Sequence, residues 1–233
     1  MKTAILVDGG FFLKKYRGVV GFNHDDDPSV VAANLSSYCY RHIKRINDLR
    51  DRLKLPRTEL YRIFYYDAKP YSGDAMNPVS GKNISFKKSD QYQYRHLLFA
   101  ELKKQRKIAL RLGFLKSYGN QWVISPQSTK DLISGKIKVA DLKETDVSIQ
   151  FKQKAVDMKI GLDIATLAFK NQVDQILLIA GDSDFVPAAK FARKEGVDFL
   201  LDPMLNHIDP TLEEHIDGLM TIKSMQKRIN GKK

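Results

Sequence analysis

Four aspartates of this chain stand where apolar runs stop. "AILV" gives way to Asp8, "RIFYY" to Asp67, and "LLIAG" to Asp182, with Asp184 two residues further on. A fifth, Asp157, lies just inside the apolar-periodic stretch "AVDMKIGLDIATLAF". Carboxylates are hard oxygen donors, suited to Mg²⁺ or Mn²⁺. Crowded together without a cation, they repel and raise one another's pKa. A metal held by such a group can activate water and stabilise charge on a phosphodiester. Metal-assisted phosphodiester hydrolysis is therefore the chemistry to weigh.

Each acid alone has a plainer explanation. Asp8 before Gly9-Gly10 can make a turn. Asp184 or Ser183 can N-cap the helix that follows, with Pro187 in its first turn. Asp157 can be a favourable charge near a helix start. Asp163 follows six residues after Asp157, about 240° round a helix, so it reads as a supporting acceptor and not a ligand. Asp67 reads as a turn residue or a supporting group behind the ligands. The repetition of strand-then-aspartate carries the argument, because no single position does.

The elements that would position these acids alternate between strand and helix. Strands are expected at 3–7, 59–68, 107–116, 175–180 and 197–201 from short apolar or β-branched runs. Asp8 would follow the first strand in a tight turn. Amphipathic helices are expected at 29–54, 88–106, 155–172 and 185–196, the last ending at Gly196. Residues 69–85 read as a loop rich in Pro and Gly. Residues 117–150, with the lone Trp122, lack a clean period and read as an insertion or a β-ribbon. This order predicts an α/β fold: a three-layer α/β/α sandwich with a mainly parallel central sheet. Ligands in such sheets bind beyond the strands' carboxyl ends, at a switch in strand order, which is where the acids would gather.

Composition narrows the partners. The 233 residues carry 39 Lys and Arg against 27 Asp and Glu, a net charge of +12, so a polyanion is the first partner to consider. Lys154 precedes Asp157 by three residues and can reach a phosphate oxygen. The stretch 95–111 gathers basic residues, among them Lys103 and Arg106. The single cysteine, Cys39, excludes an internal disulfide and a Cys-based zinc site, and fits a reducing compartment. With no stretch approaching the length of a membrane span, a cytoplasmic protein away from membranes is expected. No G-x-G-x-x-G or Walker loop offers a nucleotide cradle. Ser183 sits in a Gly-Asp-Ser block like that of some serine hydrolases, yet no later Asp-x-x-His supplies its base.

"AILVDGGFF" (4–12), "RIFYYDA" (62–68), "FKQKAVDMKIGLDIATLA" (151–168) and "LLIAGDSDFVPAAKFARKEGV" (177–197) together resemble the NYN-domain proteins, in the LabA-like branch of the PIN-like nuclease superfamily. The resemblance implies a PIN-like fold over about residues 1–203, with an insertion at 117–150, and a helical extension and basic tail at 204–233. It implies a metal site on Asp8, Asp157, Asp182 and Asp184, with Asp163 matching a recurrent acid of the helix block. Ser183 and Lys154 would face the substrate, with Lys103 and Arg106 as further basic contacts. The chain departs from the family twice. It lacks the asparagine that many relatives carry shortly after the first acid, and Ala155 stands where relatives with Gln-Lys-Gly-Val-Asp have glycine. The expectation is a Mg²⁺- or Mn²⁺-dependent ribonuclease acting on single-stranded or structured RNA. Two rivals stay open: a non-catalytic RNA-binding or regulatory module, and a metal-dependent phosphoesterase acting on DNA or nucleotides. Homo-oligomerisation is also left open.

Overall fold

The computed structural model describes residues 1–19 and 26–222. The chain forms two compact units: one of Met1–Asp67, Leu97–Gly113 and the chain from Ala155 onward, the other of Ala68–His96 and Phe114–Lys154.

The first unit is built on a mostly parallel sheet with flanking helices, the α/β/α arrangement expected. β1 (Lys2–Asp8) lies at its centre, between β2 (Glu59–Lys69) and β7 (Gln175–Ile179), and is parallel to both. β8 (Asp198–Asp202) follows β7, and β9 (Gly218–Leu219) closes that edge. On the far side of β2 runs β5 (Ile108–Ile124). Ala4–Val7 and Ile176–Ile179 are fully buried. Their unbroken apolar runs are what a strand covered on both faces requires.

The helices supply the cover. α1 (Gly9–Val19) buries Phe12 and Tyr16. α2 (Pro28–Arg52) is capped by Asp27, which accepts from the Ser29 N–H, and buries Val31, Leu35, Tyr38 and Ile46. α5 (Val156–Phe169) buries Ile160, Ile164 and Leu167, and α6 (Val186–Lys194) buries Ala189 and Ala192. α7 (Pro210–Glu213) is a single turn. Past residue 203, the described chain thus adds four helical residues and the two-residue β9. Most of the basic tail, 223–233, lies outside the described residues.

Two local expectations are corrected. The turn expected after Asp8 is the start of α1, because the Asp8 carboxylate accepts the Phe11 N–H (3.0 Å) and offsets two poor helix formers at its entrance. The loop expected at 69–85 holds a small antiparallel pair, β3 (Asp74–Met76) and β4 (Asn83–Ser85). The helix expected at 88–106 is present as α3 (Asp90–Lys104), preceded by a 3-10 turn at Phe86–Lys88.

In the second unit, β5 continues into an antiparallel pairing with β6 (Val147–Lys154), interrupted between Ser117 and Trp122. α4 (Pro126–Ile133), capped by Ser125, lies between the two strands in sequence. Tyr71, Phe86 and Phe151 pack as an aromatic trio, with ring centroids 4.9–5.5 Å apart.

Candidate active site

Strand order switches at β1. The chain passes from β1 to β2 on one side and returns later to β7 on the other, the kind of position at which open α/β sheets bind ligands, beyond the strands' carboxyl ends. The register sets Val7 beside Ile179, Asp8 beside Tyr66, and Ile179 beside Asp202. Asp8 at the end of β1, Asp67 inside β2 and the Gly181-Asp182 turn after β7 therefore lie near one level of the sheet; Asp67 is a strand residue and not the turn residue expected, because β2 runs on to Lys69.

Asp8 is brought close by a tight fit. A Cβ on Gly9 would lie 2.7 Å from the Tyr66 carbonyl and 2.4 Å from the Tyr65 ring. Only glycine lets the chain turn from β1 into α1 against β2 at this distance. On the other flank, a Cβ on Gly181 would strike the Phe11 ring at 2.5 Å, so α1 and the turn after β7 are also in close contact.

The acids sense one another. The Asp8 pKa is raised from 3.8 to about 6, chiefly by burial and also by the charges of Asp157 and Asp67, against the lowering effect of the Phe11 and Gly10 N–H groups. Asp157 is exposed, yet its proton affinity is also raised, first by the protein around it and then by Asp182 and Asp184. Coulombic coupling thus joins acids from β1, β2, the first turn of α5 and the turn after β7. They form an open arrangement: among the described residues, no three His, Cys, Asp or Glu side chains close into a ready-made metal cage.

The other expected residues fall into distinct places. Asp182, not Asp184 or Ser183, is the cap: its carboxylate accepts the Asp184 N–H at 3.1 Å, opening a 3-10 turn that leads into α6. Asp184 is exposed and Ser183 half-buried. Asp67 is buried and accepts from the Tyr65 hydroxyl at 3.2 Å. Asp163 accepts from the Tyr66 hydroxyl (2.8 Å) and from Arg111 Nε (2.9 Å). The Arg111 guanidinium lies over the Phe64 ring. Burial and the neighbouring Asp163 charge raise the Tyr66 pKa far above its ordinary value, so its proton stays available to that carboxylate. Asp163 ties α5 to β2 and β5, and so sets where Asp157 can stand.

Lys103 and Arg106 are exposed and start from a different level. The Ile63 N–H donates to the Lys107 carbonyl, four residues before Asp67, so the chain enters β5 about 13 Å below the acidic edge at the rise of a strand. Lys154 closes β6 in the second unit, three residues before Asp157 in the chain.

Sequence reasoning stopped one residue short of a further strand-end acid. Asp202 ends β8 and is fully buried, accepting from the Tyr38 hydroxyl, His42 Nε2 (2.9 Å), the Met204 N–H (2.8 Å) and the Thr221 hydroxyl (2.9 Å). With four donors its oxygens are satisfied, and it works as a clamp between α2 and β8. The signal, "DFLLD", has the same form as the others; only the donors from α2 distinguish it.

The donor set suits a hard divalent cation. Every coupled group offers carboxylate oxygen, and Mg²⁺ characteristically keeps several waters and takes only one or two carboxylates. An open arrangement with raised proton affinities fits a hydrated ion of that kind better than a dry cage.

The family model of the NYN domain matches residues 2–207. No curated protein matches the chain. One solved structure that aligns with it, a protein of unknown function from Vibrio parahaemolyticus, is 17% identical, covering 96% of this chain and 92% of that one at a TM-score of 0.43.

Proposed function

Because the chain belongs to the NYN domain family, within the PIN-like nuclease superfamily, we propose that it is a metal-dependent ribonuclease of the LabA-like branch. Its active site would be the acidic edge of Asp8, Asp157, Asp182 and Asp184. One observation carries the reading: at the strand-order switch the charges of Asp157 and Asp67 raise the proton affinity of Asp8, and those of Asp182 and Asp184 raise that of Asp157. A fold tolerates that repulsion where a cation relieves it.

Asp8, held by the Phe11 N–H, and Asp157, positioned through the Asp163–Tyr66–Arg111 linkage, would hold a Mg²⁺ or Mn²⁺ ion. Asp182 and Asp184 would complete the set of carboxylate donors. The ion, when bound, supplies Lewis acidity toward water and toward phosphodiester oxygens. Ser183, between the two acids of the turn, is placed to donate a hydrogen bond to a phosphate. Asp67, buried behind Asp8, adds negative charge that favours a cation over a proton at neutral pH. The basic body of the chain, Lys103 and Arg106 included, draws the polyanion in over longer range.

The test is cleavage of labelled single-stranded RNA, structured RNA and DNA by the purified chain, with Mn²⁺, Mg²⁺ or EDTA, beside an Asp182→Asn control. The reading predicts RNA cleavage that EDTA abolishes and Asp182→Asn reduces strongly. Binding without cleavage at any metal concentration would make the chain an RNA-binding module. Preferential cleavage of DNA or nucleotides would make it a phosphoesterase of another kind.

A further inference from the structure

The antiparallel ribbon of the second unit presents a face that the acidic edge does not use. Its register sets Phe114 opposite Lys154 and Lys116 opposite Lys152. Residues directly opposite in an antiparallel pair share a face, and so do residues two apart on one strand. These four side chains therefore form one patch, with neighbours about 5 Å apart across the strands and 7 Å along them. All four residues are exposed, and Phe114 keeps 51% of its surface in solvent.

The opposite face fixes this orientation. There Ser117 stands opposite Phe151 and Trp122 opposite Ile149, and Phe151 is locked into the trio with Tyr71 and Phe86. A slip of one residue would turn the lysines inward and the trio's phenyl ring outward. The outward patch is a fixed property of the ribbon.

The patch sets three cationic side chains beside an exposed aromatic ring. One kind of partner matches both features: a chain with phosphates in series and flat bases free to stack. A duplex supplies the phosphates but keeps its bases stacked on one another, and an acidic peptide supplies charge without the flat rings. We propose that this ribbon face binds single-stranded nucleic acid, one base stacking on Phe114 while Lys116, Lys152 and Lys154 hold neighbouring phosphates. The biological identity of the strand as a substrate rests on the nuclease reading; the patch itself rests on the register.

The experiment is fluorescence anisotropy with the full chain in EDTA, where metal-dependent cleavage is suppressed. The probes are labelled oligo-uridine, single-stranded DNA of the same length, and a blunt RNA duplex of that length. The parent should bind single strands more tightly than duplex. Phe114→Ala should weaken single-strand binding by roughly five- to a hundredfold, the range for losing one base–aromatic stack, and Phe114→Tyr should restore it. Lys116→Gln with Lys152→Gln should lower the slope of log affinity against log salt by about 1.4, about 0.7 for each lysine on a single strand. Preference for the RNA or the DNA strand identifies the source, and either supports the patch. Unchanged affinity in both variants, with urea midpoints showing them folded, overturns the proposal. So does an equal loss on duplex and single strand for Phe114→Ala. The two readings fail separately. A parent that binds through the ribbon but cuts nothing with Mn²⁺ refutes the nuclease and leaves the patch. A parent that cuts, with both ribbon variants unimpaired at limiting RNA, refutes the patch alone.

Discussion

Asp8→Asn is the substitution whose consequence follows most fully from the structure. The Asp8 pKa is raised from 3.8 to about 6, so between those values the folded chain holds more proton at this position than the unfolded chain. Stability therefore falls as pH rises through about 4–6 and levels off above. At pH 7.5 the ionised carboxylate costs the metal-free fold up to about 3 kcal/mol, from about 1.4 kcal/mol per pKa unit. Asparagine removes the charge and keeps an oxygen to accept the Phe11 N–H, although its amide group needs an acceptor of its own. Asp8→Asn should thus be more stable than the parent by about 1–3 kcal/mol at pH 7.5 in EDTA. For a chain of this size that is roughly 2–4 °C in Tm per kcal/mol. The advantage should vanish near pH 4. Mn²⁺ should raise the Tm of the parent, by mass action on the folded state, and leave the variant nearly unmoved. Urea or thermal unfolding across pH 4–8, with and without metal, measures all three. A variant less stable than the parent at pH 7.5 in EDTA would refute the reasoning: Asp8 would then be a structural cap whose charge the fold needs.

Two further substitutions test how the backbone delivers the acids. Gly9→Ala forces a methyl to 2.7 Å from the Tyr66 carbonyl and against the buried Tyr65 ring, and should cost about 3 kcal/mol, the upper range of overpacking; a urea midpoint equal to the parent's would contradict the close approach of α1 to β2. Ala155→Gly should stabilise the chain by about 1 kcal/mol, because Ala155 sits at φ 67°, in the left-handed region that L-residues enter at a cost of 1–2 kcal/mol; a loss of stability in denaturant unfolding would count against that strain.

Much of this was legible from sequence, and the limits have physical causes. Strands buried on both faces announce themselves as apolar runs, so β1, β2, β7 and β8 were placed to within a residue or two. The glycine expected at position 155 in relatives has its reason in the positive φ there. α1 was hidden because Gly9-Gly10 is the wording of a turn, and only the Asp8 cap and the burial of Phe12 and Tyr16 make it a helix. The ribbon of β5 and β6 was obscured by the irregularity between Ser117 and Trp122, which breaks the period-two alternation. The capping role fell on Asp182 because the chain enters a 3-10 turn before α6, a shift of two residues that composition does not encode. Asp202 could not be told from Asp8 by wording. What separates them is four donors, two of them from a helix some 160 residues away, against a neighbourhood of other acids.

The most direct test of the acidic edge is the single-turnover cleavage rate of one single-stranded RNA by the parent and by Asp184→Asn at matched Mn²⁺. Asp184 is exposed and the cap of its turn is Asp182, so the substitution should leave stability within about 0.5 kcal/mol, as surface changes do. Cleavage should fall about a hundredfold or more, the scale of losing one electrostatic element of an active site. RNA affinity should hold or rise, since a negative charge facing the phosphates is gone. Equal cleavage rates for parent and variant would contradict the assignment of this sheet edge as the catalytic centre.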